Sequence, residues 1–103
     1  NILNITQNSN FEYPVDIYYK NHRIYGSIDC IDNDNNIVYE FKSFSGDIQY
    51  INMFQLILYM YLLKNKKYKY RIVNLLDNNL NCYEIYFENI KEIAEKLIEL
   101  KLN

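Results

Sequence analysis

The spacing of polar and apolar positions changes period along this chain and divides it into seven elements. "NFEYPVDIYYKN", Asn10 to Asn21, reads as a strand, and Pro14 marks it as an edge or a strand start because proline gives no amide hydrogen to a ladder. "HRIYGSIDCI" and "NIVYEFKS" read as two more strands around the turn-rich "DNDNN". "SFSGD" breaks the pattern and offers an N-cap at Ser45 or Asp47, after which the spacing is helical to about Leu63. "YKYRIVNLL" and "NCYEIYF" form a second hairpin around "DNN". In "ENIKEIAEKLIELKL", Ile90, Ile93, Ala94, Leu97 and Lys101 share a stripe, and Glu92 and Lys96 make an i,i+4 pair of the favourable orientation. The order β-β-β-α-β-β-α predicts an α/β fold with a central mixed sheet of about five strands flanked by helices.

The first hairpin carries polar residues where a sheet normally excludes them. A turn centred between Asp34 and Asn35 sets Asp29 opposite Glu40, Ile31 opposite Val38, Ile28 opposite Phe41 and Cys30 opposite Tyr39. Alternation then puts Asp29, Ile31, Val38, Glu40 and Lys42 on one face, and Ile28, Cys30, Tyr39 and Phe41 on the other. Both faces are largely apolar, so helices are expected on both.

Composition narrows the class. A chain of 103 residues, half of them hydrophobic, is expected to form one domain with a single core. Heavy use of Tyr, Asn, Ile and Lys looks like an AT-rich coding sequence, which weakens the meaning of any one of them. The formal net charge of −2 is not the footprint of a general nucleic-acid binder, although it allows an enzyme that meets phosphate through a metal and a local basic patch. Cys30 and Cys82, with no CxxC, argue against a zinc site or a disulfide scaffold and suggest buried thiols in an intracellular, reducing compartment. Nothing resembles a signal peptide, and no apolar run is long enough to span a membrane. The chain begins at Asn1 without Met, as an excised domain would.

Two carboxylates facing each other across a hairpin repel. Protonation of one relieves them; so does a hard divalent cation, which prefers carboxylate and carbonyl oxygens. Lys42 points to the same side, where it would hold a water or a phosphate oxygen, and such a face suits phosphodiester hydrolysis. A buried salt-bridge cluster is the competing reading of the same three residues. On the following helix, Gln55 and Tyr59 share a face, with Asn52 one turn earlier, beside an apolar stripe of Ile51, Phe54, Leu58 and Leu62.

Taken together, "GSID" (Gly26 to Asp29), "EFK" (Glu40 to Lys42) and "QLILY" (Gln55 to Tyr59) resemble the GxxD, (D/E)xK and QxxxY motifs of the PD-(D/E)xK nuclease superfamily in its RecB-like branch. The likeness runs from about Glu12 to the C-terminal helix, and the run "GSIDC…YEFKS…QLILY" looks particularly like mitochondrial genome-maintenance exonucleases. It implies a restriction-endonuclease-like fold and a Mg²⁺- or Mn²⁺-dependent deoxyribonuclease, an exonuclease of DNA repair, replication or recombination. Its partners would be DNA, including single-stranded ends, and further domains or a helicase or polymerase. Residue by residue, the resemblance implies Asp29, Glu40 and the Phe41 carbonyl as metal ligands and Lys42 as the residue that positions or activates water. Gln55 and Tyr59 would steady the lysine and contact the nucleic-acid backbone.

The chain departs from that family in one respect. RecB-like nucleases commonly have an N-terminal helix, often with a His or Glu for the metal, and no helical pattern precedes the first strand here. The alternative function is therefore a catalytically inactive nuclease-like domain that binds nucleic acid or a partner protein. His22 reads as a solvated turn residue, and Glu12 as a weaker site candidate on the first strand. Further weaker candidates are Asn52, Ser43 directly after the lysine, and Lys64, Lys66 and Lys67 in "KNKKYKYR", where lysines interleaved with tyrosines would track a phosphate backbone.

Overall fold

A computed structural model describes residues 3–48, 50–63 and 67–102. Its elements run β1 (Ser9–Tyr19), β2 (His22–Asp32), β3 (Ile37–Lys42), α1 (Tyr50–Leu62), β4 (Lys69–Asn74), β5 (Cys82–Ile85) and α2 (Ile90–Leu102). The strands form one mixed, open sheet in the order β1-β2-β3-β4-β5. Neighbours are antiparallel except β3 and β4, which run parallel because α1 crosses between them. Pro14 lies on the edge strand, as its missing amide hydrogen requires.

The turn between β2 and β3 is built by Asp32. Its carboxylate, completely buried, accepts from the amides of Asp34 (3.2 Å) and Asn35 (3.3 Å) and from Asn35 Nδ2 (3.0 Å). It also draws in the N-terminal segment, through Thr6 N (3.2 Å) and Thr6 Oγ1 (2.6 Å). The resulting register pairs Cys30 with Tyr39 and Ile31 with Val38, as alternation predicts. The ladder stops there: the expected pairs Asp29–Glu40 and Ile28–Phe41 lie past its last pair and are not part of it.

Two core clusters lie on opposite sides of the sheet. Ile31, Val38 and Ile72 pack with Leu56, Tyr59 and Met60 of α1. Cys30, Ile37, Tyr39 and Val73 pack on the other side, against Leu3, Ile5, Phe41 and Leu80. Burial of each such side chain stabilises the fold by about 2 kcal/mol before entropy is counted.

Several expectations change. Helices were expected on both faces, but α2 packs on α1 and its Ile90 joins the α1-side core, while the second face is covered by the N-terminal segment and the β4–β5 loop. Ile28 packs with Ile31 and Val38 rather than with Cys30. Between these two residues, opposite Asp29, the β1–β2 pairing skips Glu12, whose φ is a left-handed 53°. Helix α1 starts at Tyr50, beyond Ser45 and Asp47, because Gly46 (φ 76°) turns the chain first. Its sheet-facing residues are Met53, Leu56, Tyr59 and Met60, whereas Phe54, Leu58 and Leu62 are half-buried. Cys30 is buried as expected, but Cys82 is exposed on the edge strand β5.

Candidate functional site

The site lies past the end of the β2–β3 ladder. Asp29 replaces the missing ladder partner: its Oδ2 accepts from the Phe41 amide at 2.8 Å. The N–H and C=O of one strand residue point to the same neighbour, so the Phe41 carbonyl also turns towards β2, beside the Asp29 carboxylate. Glu40, one residue away, projects to the α1 side and is only 3% exposed.

Its partners do not satisfy it. Among the described residues Glu40 Oε2 is buried with no hydrogen-bond partner, a costly state for a carboxylate. Burial, reinforced by Asp29 beside it, pushes Glu40 up to about 8, against the pull of Lys42 and of the Tyr59 hydroxyl. Lys42 Nζ stands 3.9 Å from Glu40 Oε1, too far for a hydrogen bond, and donates instead to Gln55 Oε1 of α1. In a buried salt-bridge cluster the lysine would bond an acid directly; here it is held by an amide, with its side chain 31% exposed.

Tyr59, one turn after Gln55, is 4% exposed and donates to the Ser27 carbonyl at 2.6 Å. That bond ties α1 to the strand that carries Asp29. Burial, then the nearby Glu40 and Asp29 carboxylates, hold the Tyr59 phenol well above its ordinary range, so it acts as a hydrogen-bond donor. The expected contact of Tyr59 with a nucleic-acid backbone therefore does not fit its position: it supports the strand from inside. Gln55 is exposed beside Lys42, where contact with an external group is open to it.

The weaker candidates scatter. Glu12 is exposed and sits across β1–β2 from Asp29, between the pairs Phe11–Cys30 and Tyr13–Ile28. Ser43 and Lys67 are exposed. Lys64, Lys66 and the side chain of Asn52 lie outside the described residues. His22 is exposed at the start of β2, beside the Lys20–Asn21 turn, as the sequence suggests.

Sequence reasoning missed Asn74. It lies beside Lys42 in the parallel ladder and is 7% exposed. Its Oδ1 accepts from Phe44 N (3.2 Å) and Leu76 N (3.1 Å), and its Nδ2 donates to the Phe44 carbonyl (2.9 Å). The Leu75 amide donates to the Lys42 carbonyl at 2.8 Å. Together these bonds fix the backbone on which Lys42 stands. An Asn closing a strand before an apolar pair is too common to have been noticed in sequence.

Among the described residues no group of three or more His, Cys, Asp or Glu side chains gathers to hold a metal. The two carboxylates and one carbonyl at this opening form an all-oxygen set of the type hard cations take. No helix among the described residues is long and apolar enough to cross a membrane. No protein-family model, curated protein or solved structure matches this chain.

Proposed function

We propose that this chain is a Mg²⁺- or Mn²⁺-dependent nuclease that hydrolyses DNA phosphodiester bonds on a restriction-endonuclease-like fold. The observation that carries the reading is Glu40 Oε2, a buried carboxylate oxygen without a hydrogen-bond partner among the described residues, beside a second carboxylate and 3.9 Å, through Oε1, from a lysine that hydrogen-bonds an amide instead. Such an oxygen is stabilised by a cation, and the residues present fit one: Asp29, Glu40 and the Phe41 carbonyl would hold it. A divalent ion bound there supplies a Lewis acid for the scissile phosphate and acidifies a bound water.

The chain's own residues do the rest. Lys42 orients the attacking water or a phosphate oxygen with its partly exposed ammonium. Gln55 fixes that ammonium from α1, and Tyr59 holds β2 through Ser27 so that Asp29 keeps its place. The three-motif resemblance supports DNA as the substrate, and exonuclease work in repair, replication or recombination as the setting. The test is cleavage of end-labelled single- and double-stranded DNA in Mg²⁺ or Mn²⁺. Wild type should cut, and Lys42→Ala should be slower by about 10²–10⁴-fold with an unchanged fold. A Lys42→Ala variant that cuts as fast as wild type overturns the mechanism.

A further inference from the structure

Gly26 lies in the interior of β2, where a glycine weakens a strand and therefore calls for a reason. The chain supplies none. Gly26 pairs in regular register with Val15, so it marks no bulge, and its φ is not left-handed. Among the described residues, a Cβ added there meets nothing within 4 Å, so none of them approaches closely enough to demand its absence.

The direction of the gap is fixed by its neighbours. Cross-strand partners share a face, and Val15 packs against the core beneath α1, as does Ile28 two residues along. A side chain at position 26 would thus point to the side of the sheet that carries Glu40 and Lys42. Ser27, the next residue, is the one Tyr59 holds, and Gln55, one turn earlier on α1, holds Lys42. The gap is open to solvent on the side of the sheet that carries this ammonium and amide, both suited to phosphate oxygens.

We propose that the gap above Gly26 seats the sugar–phosphate backbone of the strand being cut, an inference that rests on the nuclease reading of Asp29, Glu40 and Lys42. A glycine there lets a polynucleotide lie against the β2 backbone and brings its phosphate to Lys42. Bulk at this position occludes the strand without touching the metal ligands.

The experiment uses the series Gly26→Ala, Gly26→Val and Gly26→Leu. Affinity is measured for a labelled single-stranded oligonucleotide in Ca²⁺, with cleavage in Mn²⁺, the Mn²⁺ binding isotherm and the urea midpoint alongside. The expected result is a loss of oligonucleotide affinity that grows with bulk and exceeds tenfold at Leu, while Mn²⁺ binding stays as in wild type and the urea midpoint does not fall. If Gly26→Leu fails to fold, Gly26→Ala, whose Cβ meets no atom of the described residues, carries the test with a severalfold loss. Wild-type cleavage with equally active Gly26→Ala and Gly26→Leu variants overturns this inference alone. A wild type that binds Mn²⁺ through neither Asp29 nor Glu40 and cuts nothing overturns the nuclease reading, and this inference with it.

Discussion

Asp32 and Glu40 are buried carboxylates on one hairpin with opposite surroundings. Asp32 is surrounded by donors from Thr6, Asp34 and Asn35, and Glu40 Oε2 has none among the described residues. Burial pushes the Asp32 carboxyl up, but the bonds from Thr6 and Asn35 outweigh it, and the group titrates below its usual range. A depressed carboxylate stabilises the fold above its unfolded pKa and loses that contribution as pH falls through the folded value. Asp32→Ala should therefore cost about 3 kcal/mol at pH 7 in urea titrations. It should also flatten the acid side of the stability profile below about pH 4. An unaltered acid profile would deny Asp32 this role. Glu40→Gln should have the reverse effect, since it removes a carboxyl that the cation-free fold raises to about 8 and whose ionisation therefore costs stability as pH rises towards that value. Its melting temperature without divalent ions should equal or exceed that of wild type, and a clear fall would mean that the carboxylate is satisfied by the fold.

At the scale of elements, α1 and the β4 terminus hold the hairpin in its working shape. Tyr59→Phe removes the bond to Ser27 and should cost about 1–2 kcal/mol, with faster hydrogen exchange along β2 near Asp29. Asn74→Ala should release the amides of Phe44 and Leu76 to exchange while leaving β1–β2 protected; uniform protection would show that Asn74 fixes nothing. These elements also mark what the sequence made legible. The β2–β3 register could be read because the Asp/Asn-rich turn and the apolar alternation agree. The buried face of α1 could not, since the helix is apolar nearly all round and periodicity cannot choose among its stripes. Ile28 was misplaced where the β1–β2 pairing skips Glu12, a left-handed residue on the neighbouring strand. Asp32 and Asn74 depend on partners distant in sequence, such as Thr6 and Phe44, which local pattern does not reveal.

At the scale of the molecule, the sheet is asymmetric. Both helices lie on the side that carries Glu40 and Lys42, and β1–β2 extends past the end of the β2–β3 ladder. Past the end of that ladder Asp29 holds the Phe41 amide, and Glu40 stands 3.9 Å from Lys42. The three short motifs found in the sequence thus converge: Tyr59 holds the carbonyl of Ser27 in the first, and Gln55 holds Lys42 of the second. The central claim is that Asp29 and Glu40 together bind a divalent cation. Isothermal titration of Mn²⁺ into wild type, Asp29→Asn and Glu40→Gln tests it most directly. Wild type should give a saturable heat that either substitution abolishes. A wild type with no saturable heat, or a Glu40→Gln variant that binds Mn²⁺ as wild type does, would contradict it.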